Sequence, residues 1–376
     1  MEIKYFDNSA TTKIKNEVIE EMLPFLRTEY GNPSAIYKLG VSARNAVEVA
    51  RKRVAALINC SPEEIYFTSC GTESDNTAIK GYAYANKQKG RHIITSKIEH
   101  PAVLNACKNL EDKGFEVTYI DVDKKGIIKF EDLKKAIRKD TILISIMTAN
   151  NEIGTIQPIE EIAKIAHLNN IVFHTDSVQA IGNIKIDVRK MHIDMLSLSG
   201  HKIYAPKGIG VLYVKKGIEF ERFMDGGHQE KEKRSGTENV AGIVGLGKAC
   251  QLAQRNLQQH QQKLRQLRDY FLEEIQKNFS NVYINGDMEN RLPGNINLSF
   301  IGFNSNEMLN KLDEYGICAS GGAACSARNK KTSHVLKAIG LPKELSETAI
   351  RFTFGDFNTK EDIDYLIKVL INIIEK

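Results

Sequence analysis

Short apolar, β-branched segments recur through the first part of the chain, at 64–68, 92–95, 117–121, 142–147, 171–175, 194–198 and 210–214. Each has the length of a buried strand, and longer stretches of helical pattern separate them. That alternation predicts an α/β fold, with a large domain in which a mainly parallel seven-stranded sheet carries helices on both faces. From 239 to 278 the pattern is helical throughout, small and apolar at first through Gly245 and Gly247, then rich in Gln, Leu, Arg and Lys. The second half of this stretch reads as the bridge into a small α+β C-terminal domain. Strand signals there fall at 282–284, 295–300 and 349–354, and helical ones near 305–314, near 332–339 and from 359 onward. The resulting division is an N-terminal segment, 1–14, packing with the small domain, a large domain, 15–255, and a small domain, 256–376. Gly90, Gly114 and Gly126 punctuate the pattern, without internal repeat or low-complexity tract.

Polar residues of matching chemistry gather where the predicted strands end. Lys202 lies in Ser199-Gly200-His201-Lys202, directly after an apolar strand and beside a glycine that lets backbone approach a ligand. A lysine in that setting suits a Schiff-base nucleophile better than a solvated charge. Asp176 closes the segment at 171–175 and has the charge that a pyridinium nitrogen requires. In open α/β sheets ligands bind at the carboxyl ends of strands, where both residues fall, so the pair points to pyridoxal phosphate. Ser69-Cys70-Gly71-Thr72-Glu73-Ser74 joins the first strand to a helix start. It offers backbone N–H groups and hydroxyls to a phosphate, although Thr72 or Ser74 as a plain helix cap accounts for the same residues. His100, in Glu99-His100-Pro101, stands at another strand end, placed to stack on a cofactor ring and to move protons near neutral pH. Asn150-Asn151-Glu152-Ile153-Gly154 supplies either an amide for the cofactor or substrate, or simply a turn.

Composition narrows the class of partner. The 376 residues carry a net charge of +5 scattered along the chain, with no basic arm of the kind that binds nucleic acid. No apolar run is long enough to span a bilayer, and Glu2, Lys4 and Asp7 interrupt any secretory signal, so the expected compartment is the cytoplasm. The six cysteines include no C-x-x-C pair, which speaks against a metal ribbon or a disulfide framework. Most read as buried small hydrophobes. Cys325 differs, lying in a run of small residues, 319–327, with paired glycines and a basic flank, a setting for a reactive thiolate.

Taken in order, Asp7-Asn8-Ser9-Ala10-Thr11-Thr12, Gly31-Asn32-Pro33-Ser34, Gly71-Thr72-Glu73-Ser74-Asp75-Asn76, Glu99-His100 and Asn150 to Gly154 resemble the motifs of cysteine desulfurases, which are class V aminotransferase-like enzymes of fold type I. Asp176 with Gln179, Ser199 to Lys202, Arg234-Ser235-Gly236-Thr237-Glu238-Asn239, the Cys325 run and Ile350-Arg351-Phe352 continue the match over essentially the whole chain. The resemblance implies that Lys202 holds pyridoxal 5'-phosphate, Asp176 pairs with the ring nitrogen, Gln179 and Asn151 approach the phenolic oxygen, and His100 covers the ring. It implies phosphate contacts from Gly71, Thr72, Ser199 and His201, and from Thr237 of a neighbouring subunit, hence a homodimer. Arg351, with Asn32 and Asn151, falls to the substrate, L-cysteine. Cys325 falls to the sulfur-accepting nucleophile, which passes a persulfide to an acceptor protein. No metal, nucleic acid or membrane enters this reading. A selenocysteine lyase, or a cystine or cysteine-sulfinate lyase, on the same scaffold is the nearest alternative, and a catalytically silent assembly scaffold the more distant one. Two departures stand out. His228 occupies a position where relatives commonly have glycine, near the expected subunit boundary. Arg328-Asn329-Lys330-Lys331 adds positive charge after the cysteine, either a solvated loop end or a docking surface for an acidic acceptor.

Overall fold

The computed structural model describes residues 2–321 and 333–374. Cys325 and the basic run 328–331 lie outside the described residues.

A two-residue strand, β1 (Lys4–Tyr5), opens the chain, followed by α1 (Asn16–Arg27) and α2 (Lys38–Ile58). The large sheet is then laid down by β2 (Ile65–Thr68), β3 (His92–Ser96), β4 (Glu116–Ile120), β5 (Thr141–Ser145), β6 (Val172–Asp176), β7 (Met195–Ser199) and β8 (Gly210–Val214). Intervening helices are α3 (Gly71–Asn76), continued by one wide turn into α4 (Tyr82–Asn86), then α5 (Pro101–Glu111), α6 (Phe130–Ala136) and α7 (Ile159–Leu168). The strand order is β2-β8-β7-β6-β5-β3-β4, and β8 alone runs against its neighbours. Adjacent residues of one strand face opposite cores: Ile94 of β3 and Ile144 of β5 join one cluster, Ile93 and Leu143 the other. Both faces are therefore covered, which is why these strands read as continuous apolar runs rather than alternating ones. Each predicted segment falls within a residue or two of an observed strand, and the fold class is as expected.

The helix α8 (Val240–Asn278) is 39 residues long and passes without a break from the large layer to the small one. Its small-residue first half has a packing cause. A Cβ on Gly247 would lie 2.6 Å from the Cα of Ala50 in α2, so α8 and α2 approach at backbone contact, and one on Gly245 would strike the side chain of Met22 of α1. The periodicity argument had not singled out α1 and α2, because the buried positions of α2, such as Ala43, Val47, Ala50 and Val54, are small and interleaved with charges.

The smaller layer holds β9 (Val282–Asn285), β10 (Asn295–Phe300), α9 (Ser305–Glu314), β11 (Ile317–Cys318), β12 (Ser320–Gly321), α10 (His334–Ala338), α11 (Lys343–Ser346), β13 (Ala349–Thr353) and α12 (Lys360–Ile374). Its sheet runs β12-β13-β10-β9, and β1 pairs separately with β11. Phe6 packs into the core of this layer beside Phe354, so the first residues belong physically with the last hundred. No described helix is long and apolar enough to cross a membrane.

Candidate active site

A cavity of about 550 Å³ opens at the carboxyl ends of β6 and β7 and reaches across to β13 of the small layer. That volume suits a cofactor-sized ligand. Asp176 is the last residue of β6 and Ser199 the last of β7; a single 3₁₀ turn after β7 then presents Lys202. Ten of the residues expected from sequence line the cavity: Gly71, Thr72, His100, Asn151, Asp176, Gln179, Ser199, His201, Lys202 and Arg351. Two do not. Asn32 is exposed and closes a local turn, accepting from the Ser34 N–H at 2.9 Å, and Thr237 is exposed on the surface of this chain.

At the turn before α3 the capping contacts and the cavity-facing groups fall to different residues. Glu73 caps the turn, its carboxylate accepting from the Ser69 N–H at 2.7 Å and from Arg234 Nε at 2.9 Å. Burial opposes ionisation of Glu73, but Arg234 and Ser69 together hold it below the usual carboxylate range. Ser74 turns inward to the Thr68 hydroxyl at 2.7 Å, which leaves Thr72 exposed at the cavity rim. The first helical bond closes from Ser74 N–H to Cys70 O, so the amides of residues 71–73 precede the hydrogen-bonded ladder and remain available to an anion. A Cβ on Gly71 would lie 2.7 Å from Val178, so only glycine lets this turn close over the strand ends.

At the floor, Asp176 Oδ1 accepts from the Val178 N–H at 2.9 Å. Burial pushes this carboxyl above its ordinary value, while His100 and Lys202 pull it back. His100 Nδ1 accepts from the Ala102 N–H at 3.1 Å, capping α5, and burial lowers the imidazole pKa. The neutral ring thus carries its proton on Nε2. Burial also lowers His201, to about 4, with Lys202 and Lys207 adding to the effect. Lys202 Nζ donates to the carbonyl of Ser9 and, at 2.7 Å, to that of Ala10, which brings the N-terminal segment to the cavity wall. The two asparagines divide their work: Asn150 is buried and builds the turn, accepting from Glu152 N and Ile153 N, whereas Asn151 lines the cavity.

Across the cavity, Arg351 is only 1% exposed. Its Nη2 donates to Asp7 Oδ1 at 2.6 Å and its Nη1 to the carbonyl of Asn151 at 2.8 Å; its Nε has no acceptor among the described residues. A buried guanidinium held in place by two partners, with donor capacity to spare, suits recognition of a substrate carboxylate.

Four cavity residues escaped the sequence reading. Asp75 is 1% exposed, and its Oδ1 has no donor among the described residues. Burial, reinforced by Asp176, drives its pKa well up. Its spacing of four from Gly71 places it on the same helix face, a signal that was available. Cys70 lines the cavity beside the phosphate turn. Glu152 and His334 had no such signal, since they converge only through tertiary contacts: Ser333 Oγ donates to Glu152 Oε2 at 2.5 Å, and His334 Nε2 to the Glu99 carbonyl at 2.9 Å.

Glu99 yields a pH prediction. Burial pushes its carboxyl up to about 8, against hydrogen bonds from Ser96 and the Met147 N–H. The folded value lies above the unfolded one, so stability from the protonated form is full below about pH 4 and is lost as pH rises through about 8. Glu99→Gln, which stays neutral, is expected to reduce the loss of apoprotein stability between pH 5 and pH 8 by about 3–4 kcal/mol in chemical unfolding. An unchanged pH slope would show that Glu99 is ionised in the fold.

Pyridoxal phosphate fits this set of residues: an anionic floor for a cationic ring, a lysine for its aldehyde and an amide-lined turn for its phosphate. Fold and site together define a pyridoxal-phosphate enzyme of fold type I. The chain belongs to the aminotransferase class-V family, which matches residues 4–366. It is 52% identical to the cysteine desulfurase IscS of Dictyoglomus turgidum over 372 residues, covering 99% of this chain and 94% of that one. The IscS of Methanosarcina thermophila is 50% identical over 372 residues, covering 99% and 92%. Among solved structures, a NifS-like protein superposes with a TM-score of 0.94 at 39% identity, with both chains fully covered. SspA in complex with cysteine superposes at 0.84, also at 39% identity, covering 95% of this chain and all of that one. The protein is a pyridoxal-phosphate-dependent cysteine desulfurase.

Proposed function

We propose that this chain removes sulfur from L-cysteine by a division of labour between the two layers, the large one (15–255) holding the cofactor and the small one (256–376, with 1–14 packed against it) holding the substrate carboxylate and Cys325. The observation that carries this reading is the single cavity in which Lys202 and Asp176 face Arg351. Bound pyridoxal phosphate supplies an electron sink for the pair left on the substrate α-carbon. Lys202 Nζ is the covalent anchor and the amine that moves the α-carbon proton. Asp176 provides the negative charge beneath the ring, and Gln179 and Asn151 stand on the phenolic side. Gly71, Thr72, Ser199 and His201 take the phosphate, together with Thr237 of a second copy in a homodimer; the exposure of Thr237 on its own chain supports that role. His100 presents Nε2–H to the substrate thiol. Cys325 thiolate attacks the substrate sulfur; an S–S bond forms, the C–S bond breaks, and its electron pair passes to the carbon that becomes the alanine methyl group. The persulfide then goes to an acceptor protein in the cytoplasm. Among the described residues the exposed His228 side chain pairs with Glu232 at 2.7 Å, a local contact within its own turn.

Incubation with L-cysteine and a reducing thiol is expected to give alanine and sulfide in equal amounts; alanine without sulfide transfer would overturn the reading. Arg351→Lys keeps the charge but loses the fork, and the KM for cysteine is expected to rise at least about tenfold with a smaller change in kcat. An unchanged KM would remove Arg351 from the substrate site.

A further inference from the structure

A second polar cluster lies behind Lys202, at the seam between the two layers, and its centre is His260 of α8. Its Nδ1 is 2.5 Å from Asp356 Oδ1 and its Nε2 is 3.2 Å from Asn183 Oδ1. The Asn183 amide cannot be turned the other way, because its Nδ2 donates to the Gln179 carbonyl at 2.9 Å. Both ring nitrogens therefore face oxygen acceptors, one on each layer. The anion it meets is shared: Lys15 Nζ also pairs with Asp356, on Oδ2, and Lys263 Nζ donates to the Asp356 carbonyl at 2.5 Å. Burial opposes the charge on Asp356, but His260 and Lys15 hold its carboxyl well below the usual range.

The two ends of this cluster lead to the two ends of the active site. Asn183 holds the backbone of Gln179, whose side chain donates to the Ser9 carbonyl, the same oxygen that receives Lys202. The neighbouring Gln261 donates to the Asn183 carbonyl at 2.9 Å, so α8 grips this turn twice. Asp356 follows β13, the strand that carries Arg351, and its N–H donates to the Tyr204 hydroxyl at 2.8 Å, two residues beyond Lys202. Lys202, Asn183, His260 and Asp356 border one small cavity of about 30 Å³.

We propose that His260 is a positioning residue for the desulfuration site: through its two ring nitrogens it clamps the 176–183 turn of the cofactor layer to the turn that ends the Arg351 strand, and so sets the spacing between cofactor and substrate carboxylate. This rests on the assignments of Gln179 and Arg351 above. The test uses holoenzyme variants and two readouts that a merely structural role would leave alone, the pH midpoint of the visible cofactor band and the KM for cysteine relative to kcat. His260→Leu is expected to move the midpoint by about one pH unit and to raise KM about tenfold. Asn183→Ala should reproduce the spectral shift and Asp356→Asn the KM change. In the His260→Leu/Asn183→Ala double variant the spectral shift should not exceed the larger single shift, as coupled neighbours require. If His260→Leu does not fold, His260→Gln, which can donate to only one of the two acceptors, is read in the same way and should show an intermediate shift. Parental midpoint and KM in a soluble His260 variant would overturn the proposal. Gln179→Ala run alongside separates the failures: a shift there with none at His260 overturns the clamp alone, and no shift in either overturns the cofactor assignment and the clamp with it.

Discussion

Lys202→Ala is expected to yield a protein that binds pyridoxal phosphate without covalent attachment and turns over cysteine at least about a thousandfold more slowly. The magnitude follows from two losses at one atom, the anchor and the amine that moves the α-carbon proton. The check is direct: after borohydride reduction and denaturation, the parent chain should keep the cofactor and the variant should release it. Cofactor retained on the variant chain would show that another lysine is the anchor. A stability effect must be separated from this, since the alanine removes the Lys202 donor from the Ala10 carbonyl and leaves the Ser9 carbonyl with Gln179 alone, a cost of about 1–3 kcal/mol. Lys202→Arg keeps donors in reach of both oxygens but has no nucleophilic amine, so it should recover the stability and none of the attachment.

Cys325→Ala is expected to keep the yellow cofactor and its response to added cysteine while losing sulfide release by a factor on the order of a thousand. The described residues on either side of the 322–332 segment support its place in the reaction. Ser320 and Gly321 pair with Arg351 and Ile350 of β13, and Ser333 and His334 bond to Glu152 and Glu99 at the cavity edge. Other thiols are poor substitutes. Burial pushes Cys60 and Cys250 up to about 12 and Cys107 higher still, which leaves almost no thiolate near neutral pH. With labelled cysteine, the persulfide sulfur should be recovered on the peptide containing Cys325. Label on the peptide containing Cys70, the one described cysteine that lines the cavity, would reassign the nucleophile.

Much of the site was legible because each residue type answers one need of the cofactor and stands at a strand end. Lys202, Asp176 and His100 could be read only as a set, since Lys202 and His100 each have an ordinary structural reading on their own, and their order along the chain carried the resemblance. Glu152, Ser333 and His334 could not. Their contacts join residues 181 and 235 positions apart, and no local pattern encodes them. Asp75 lies between these cases, since its spacing from Gly71 was readable but its missing donor was not.

The fold divides in the same way. Most of strands β2 to β8 could be read from the chain because burial on both faces demands continuous apolar runs, a requirement local enough to leave a mark; the part-exposed edge strand β4 was read from its β-branched residues instead. The two-residue strands β1, β11 and β12 carry no such pattern and exist through pairing with distant partners. By itself the sequence determined the cofactor, the reaction and the order of the elements, because these depend on residue identity and periodicity. Tertiary structure alone decided that Asp7 would hold Arg351 from 344 positions away and that the Ser9 carbonyl would receive Lys202. It also decided that His260 would stand between Asn183 and Asp356. Such contacts depend on the angle at which the two layers meet, which is set by packing along α8, Phe6 and β13 together and by no single stretch of chain.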